Sequence, residues 1–336
     1  MRVFEVFSTI LMAVVMVLSS SCNPKLFETF ATKNQVGSGL GMMVNDGKNY
    51  WFSSHWGPVL RYDPIEKKYF KYSFNKGPNI EGIMTMELVT GQVWIGLHTL
   101  GIAVYNPEKD NFSFYNMDHG LAGKRSDGEK ISKVTAIAPD YLDNKIWAGT
   151  IYSGLSYYDL VKKKWFTVKD RLVKNIDVDS IAVNESYIAL TADQGVYLLN
   201  KKTNKWLFCG DISDRIKLDD IIITDDTLIF KVLKRREGTI IEYNINSQKF
   251  STILEWDEGI SELKKYKNYL IICSDKGLSF YNLSTKKIKT FNTKHGLIGN
   301  VVNAVYIEGD NIWVLTEEGI SKAKIVNVLK ELEEIN

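Results

Sequence analysis

The chain has 336 residues, 42 basic against 40 acidic, and a formal charge of +2, so nothing in its summed field argues for nucleic acid or an anionic membrane as main partner. Hydrophobic residues make up 45% and aromatics 12%, which excludes a disordered chain and supplies a packed core. The 17 Tyr and 8 Trp favour strands over helices.

In chain order, Met1 and Arg2 precede an apolar stretch from Val6 to Leu18 and the small residues Ser19-Ser20-Ser21-Cys22. This reads as a signal peptide of lipoprotein type over 1–21, too short to favour a spanning helix. Cys22 is then the expected lipidation site, and 22–24 the tether. The protein is expected to be exported to the periplasm or outer membrane and held there by its lipid. No later apolar stretch is long enough to cross a bilayer, so a partner would have to pass any signal on.

From residue 25 to 326 the chain repeats itself. Sites equivalent to Trp94 recur at Trp51, Trp94, Trp147, Ile188, Ile229, Leu270 and Trp313, seven copies with the period of four-stranded propeller blades, about 40–50 residues. A Gly follows each: Gly57, Gly101, Gly154, Gly195, Gly238, Gly277 and Gly319. It marks the turn between the second and third strands. Third strands close on a hydrophobe plus Asx, as in Tyr62-Asp63, Tyr105-Asn106, Tyr158-Asp159, Leu199-Asn200, Tyr243-Asn244 and Tyr281-Asn282, the Asx starting the next turn. Outer strands are anchored by Tyr69, Phe112, Trp165, Trp206, Phe250 and Ile288.

The seventh copy lacks an outer strand. Lys25-Leu26-Phe27-Glu28-Thr29-Phe30 resembles Lys68-Tyr69-Phe70-Lys71-Tyr72 and is expected to supply it, closing the ring. Residues 327–336 read as a helical tail with Val328, Leu332 and Ile335 on one stripe, packed on the propeller's own seam. The expected fold is therefore all-β: a seven-bladed β-propeller of four-stranded antiparallel blades, closed by an N-terminal outer strand and followed by a short C-terminal helix. Cys209 and Cys273 fall two blades apart, too far for a disulfide.

The runs Gly91-Gln92-Val93-Trp94-Ile95-Gly96 and Gly101-Ile102-Ala103-Val104-Tyr105-Asn106-Pro107 resemble the two-component regulator propeller repeat. So do Asn144–Thr150 with Gly154–Asp159, and Gly296-Leu297 through Gly319-Ile320. The resemblance covers nearly the whole mature chain. It implies a sensor propeller outside the membrane, often one for carbohydrate-related ligands, and it carries over no binding residue because its motif residues build blades.

Chemistry is left to the loops. The four His all lie in loops expected at one end of the ring. His119 and His295 each precede a Gly-Leu pair and read as turn residues. His55, Trp56, His98 and Tyr152 combine exposed aromatics with polar groups, and a long loop on the same face carries Arg125; these five are the candidate ligand-binding residues. Asp219-Asp220 and Asp225-Asp226 could pair as acid and base or hold a cation, but strand neighbours face opposite ways and the second pair sits at a turn. No catalytic residue, metal site or cofactor is assigned.

The expected function is a non-enzymatic ligand-binding or sensing accessory of the bacterial cell envelope, its partner an unknown small ligand or an envelope protein, with no nucleic acid. Two alternatives stand: an envelope protein–protein assembly scaffold, and a propeller lyase or hydrolase using the loop histidines.

Overall fold

Strands of this chain alternate short apolar runs with Gly and Asx turns, a pattern that closes hairpins locally and leaves each four-stranded sheet with two apolar faces to bury. A ring of sheets buries both. The computed structural model describes residues 25–333 except 77–78, 127–128, 211–216 and 235–236, and the side chains of 75–76, 79–80 and 125–126 are likewise outside it. Residues 1–21, expected to be a signal peptide, together with Cys22 and Ile335 lie outside the described residues.

Seven four-stranded antiparallel sheets form the blades, strands A to D running outward from the channel. The A strands are Leu40–Asn45, Ile83–Val89, Val134–Asp140, Val178–Val183, Lys217–Ile223, Ile260–Tyr266 and Val302–Glu308. Each meets the A strand of the blade on either side, the seventh returning to the first. The D strand of blade 7 is Glu28–Thr32, paired antiparallel to Gly319–Lys324. It begins three residues after the first residue of the proposed segment, because Lys25 to Phe27 bend against blade 6 with the Phe27 N–H donating to the His295 carbonyl at 3.1 Å. A register shift sets Phe30 apart from its neighbours, and its ring reaches Tyr50 and Tyr62 of blade 1 at 5.8 and 5.9 Å, so the bulge ties the closing strand to the next blade.

The register corrects two repeat assignments. The Asx closing strand C pairs with the residue two before the Trp site: Asp159 with Lys145 in blade 3, Asn200 with Tyr187 in blade 4, Asn282 with Tyr269 in blade 6. The equivalents of Trp147 are therefore Ala189 and Ile271, not Ile188 and Leu270. All four are buried, because the second strand is covered on both faces and loses the alternation that would fix its phase.

The core is divided among the seams between blades. At seam 1–2, Tyr105 lies 4.5 Å from Trp51; at seam 2–3, Tyr158 and Trp165 lie 5.7 and 6.2 Å from Trp94. Helix α1 (Lys33–Val36) links blade 7 to blade 1, and helix α2 (Ile325–Glu333) follows blade 7. Ile325, Val328 and Leu332 of α2 are buried with Phe27, Phe280 and Phe291, so the helix seals the seam between blades 6 and 7.

Candidate functional site

Turns between strands B and C and connections between blades share one end of the ring, where they are stitched to each other. Between blades 1 and 2 the connecting residues Gly82 and Ile83 lie between two turns: the Ile83 N–H donates to the His55 carbonyl and the His98 N–H to the Gly82 carbonyl, both at 2.9 Å. His55 Nδ1 lies 3.2 Å from the Ile83 carbonyl. Glu81, buried, accepts from the Thr99 N–H, from Thr99 Oγ1 at 2.7 Å and from the Leu100 N–H at 3.1 Å, which spends its carboxylate on holding the blade 2 turn.

On this frame Trp56 is 69% exposed, yet its ring is placed. It lies 5.4 Å from the His98 ring and over Gly82, where a Cβ would come within 2.9 Å of the indole. Gly82 therefore permits the close approach. Burial first, then the Lys133 ammonium, lowers the His98 pKa, so this imidazole is neutral near pH 7 and offers both a donor and an acceptor.

Tyr152 sits in the blade 3 turn at φ 73, a left-handed conformation costly for a side chain with a Cβ. Its N–H donates to Asp177 Oδ1 at 2.6 Å, and the Lys124 ammonium lies 4.5 Å from its ring centroid. Lys124 starts a hairpin of Lys124–Ser126 and Glu129–Ile131, in which the Arg125 backbone pairs with Lys130; the Arg125 side chain lies outside the described residues. A second hairpin, Asn75–Lys76 with Asn79–Ile80, rises between blades 1 and 2. The structure thus gathers His55, Trp56 and His98, and holds Tyr152 with Lys124 on a neighbouring loop. Among the described residues no hydrogen bond or ring contact joins the two groups.

The residues that place the first group, Glu81 and Gly82, and the 75–80 hairpin escaped the sequence reading. The Gly77-Pro78 pair inside Asn75–Ile80 was the available turn signal.

His119 and His295 serve turns. Asn116 and Asn292 cap short 3₁₀ turns, each His Nδ1 accepting from the capping residue's N–H at 3.3 and 3.1 Å, and Gly120 and Gly296 close the turns at φ 91 and 103. Thr32 and Gln35 make the equivalent box in α1.

Charged residues gather on the inner strands. The A strands of blades 4 to 6 carry Asp179, Asp219, Asp220, Glu262 and Lys264, and that of blade 2 carries Glu87, close enough to Lys264 to feel its charge. All seven A strands carry a bulge near the same place, which re-aims side chains at the inner edge. There Ser180 Oγ accepts from the Ile221 N–H at 3.3 Å, Asp220 from the Leu263 N–H at 2.7 Å and Glu262 from the Val305 N–H at 2.7 Å. Each staple joins one blade to the next.

Lys231 pairs with Asp220 at 2.8 Å, Lys217 with Asp219 at 3.0 Å and Lys264 with Glu262 at 2.9 Å, so the Asp219-Asp220 carboxylates are occupied by ion pairs within blade 5 and by the Asp220 bond to blade 6. Asp226 works at its turn, accepting from Asn246 Nδ2 at 2.8 Å. Burial pushes Glu87 up to about 7 despite Lys264, and Asp179 up to about 7 despite Lys217.

These features define a seven-bladed β-propeller with its irregular loops concentrated on one end, over blades 1 to 3. No protein-family model and no curated protein matches the chain. Solved structures do. The extracellular domains of two hybrid two-component systems of B. thetaiotaomicron superpose with a TM-score of 0.66, at 17% and 16% identity, each over 89% of this chain. This chain spans 39% and 42% of those domains. The computationally designed protein Ika8 matches at a TM-score of 0.57 and 10% identity, over 89% of this chain and 99% of its own. At such identities the likeness is one of fold alone, the β-propeller.

Proposed function

We propose that this chain is a non-enzymatic, ligand-binding propeller of an extracytoplasmic sensing system, exported and tethered through Cys22, with the loop face of blades 1 to 3 as its binding surface. The observation that carries the reading is Trp56: a large aromatic ring left open to solvent but fixed against His98 by Gly82. An indole held this way offers a flat apolar surface at little entropic cost, the property expected of a recognition anchor. Neutral His98 adds a polar group beside it, and the Lys124–Tyr152 pair stands on a neighbouring loop of the same face. Two solved propellers of like fold are extracellular domains of hybrid two-component systems, which supports the same reading, and a carbohydrate-related ligand suits an aromatic platform with hydrogen-bonding neighbours.

The test is a thermal-shift and calorimetric screen of residues 23 to 336 against neutral and acidic glycans and short envelope peptides, repeated with Trp56→Ala and His98→Ala. A ligand that raises stability and loses at least tenfold in affinity on Trp56→Ala supports the assignment. Binding unchanged in both variants places recognition elsewhere. Turnover of any glycan that disappears with His55→Ala or His98→Ala would instead establish the enzyme alternative.

A further inference from the structure

Seams between blades are normally filled by the hydrophobe that closes strand C. Paired with the outer-strand anchors, that position is Tyr62, Tyr105, Tyr158, Tyr243 and Tyr281 in blades 1, 2, 3, 5 and 6. Blade 4 has Leu199 opposite Trp206. Losing the ring has a visible consequence: Trp51 and Trp94 each meet a Tyr from the following blade, whereas the ring partner of Trp147 is Tyr157 of its own blade, at 5.2 Å. Between blades 3 and 4 a cleft of about 480 Å³ remains, within the range of small-ligand sites.

The walls of this cleft carry chemistry. Tyr157 from blade 3 and Trp206 from blade 4 stand on opposite sides, both partly exposed, with Leu199 and Ile188 beneath. At the floor, Lys201, its side chain 8% exposed, is neutralised by Asp140 at 2.7 Å and by Asp143 at 3.7 Å. Two further cations face the opening, Lys145 and Lys169. Lys145 lies 5.1 Å from the Tyr157 ring centroid, and among the described residues neither lysine has a carboxylate within ion-pair distance. The rim acid Asp170 is engaged by the Leu172 N–H at 2.9 Å.

A slot between aromatic walls with unneutralised ammonium groups at its edge suits a ring carrying a negative charge. We propose that the blade 3–4 cleft is a second ligand site, distinct from the loop face. Its ligand is a small molecule of one six-membered ring bearing a carboxylate, the ring between Tyr157 and Trp206 and the carboxylate on Lys145 and Lys169. An aromatic acid and a sugar acid share this chemistry.

Two probes separate them. Isothermal titration of the full mature chain at low salt with benzoate and with glucuronate, glucose serving as the uncharged control, is expected to show at least one acid binding at about 1 mM or tighter, with glucose at least tenfold weaker. Benzoate binding points to aromatic acids, glucuronate binding to sugar acids. Leu199→Tyr restores the ring that other seams possess and is expected to abolish binding with thermal stability kept or raised. Lys145→Ala with Lys169→Ala, both at the surface, is expected to weaken binding at least tenfold, and Trp56→Ala to leave it unchanged. Binding of neither acid below about 10 mM, or equal binding by native protein and Leu199→Tyr, overturns the proposal. Neither result bears on the loop face.

Discussion

Two seams of this ring lack the tyrosine that fills the others, and the protein treats them differently. At seam 6–7 the position is Ala323, and the chain continues directly into α2, whose Ile325, Val328 and Leu332 pack with Phe280 and Phe291 while Lys289 bonds the Glu331 carboxylate at 2.9 Å and its carbonyl at 2.7 Å. Beside Leu332 only about 10 Å³ stays open. At seam 3–4 the position is Leu199, no helix follows, and about 480 Å³ stays open. One gap is sealed by the chain itself; the other faces solvent between aromatic walls. A missing side chain is thus a packing fault only where nothing takes its place.

The comparison can be broken most sharply at the sealed seam. Leu332→Ala removes a buried anchor of α2 and is expected to cost about 2–5 kcal/mol, read by chemical denaturation; a loss below about 0.5 kcal/mol would mean that α2 merely lies on the surface. Creating a second open seam comes next. Tyr158→Leu takes away one of the rings packed on Trp94 and is expected to cost about 2 kcal/mol, from lost burial and ring contact. Filling the open one should do the reverse: Leu199→Tyr is expected to gain about 1 kcal/mol, the usual return of cavity filling. If it destabilises by as much, the cleft is not shaped like its sister seams.

The smallest effect lies in the channel, which both seams border. Burial holds Glu87 and Asp179 at about 7 in the folded state, well above the ordinary carboxylate range. The folded state therefore holds more protons across that window, and stability is greatest below it and falls as pH rises towards 7 and beyond. Glu87→Gln removes one of the two contributions. It is expected to leave the midpoint of thermal unfolding at pH 4 nearly unchanged and to raise it at pH 8 by about 2 °C.

How much of this was legible follows from what each residue is constrained by. The blade count and the closing strand could be read because turns demand Gly and Asx at fixed places, whatever surrounds them. The phase of blades 4 and 6 slipped by one residue because Ile188-Ala189 and Leu270-Ile271 are apolar in succession and buried on both faces. At the loop face, His55, Trp56 and His98 were identifiable as residue types, but their meeting depends on Gly82, which belongs to a connection with no repeat motif. Leu199 stood in plain view as the one aliphatic residue in a row of tyrosines. It was read as one more hydrophobe, since burial alone does not distinguish a filled position from a truncated one.

Closure by Glu28–Thr32 also sets an order of events. The first strand of the ring finds its partner only in the last, Gly319–Lys324, so the contact that completes the circle has nearly the longest sequence separation available, and its loop-closure entropy is offset only once the intervening blades have already brought the ends together. Folding can thus begin in any blade but can finish only at the seventh, and a ribosome must have released nearly every strand before the first can be put in place.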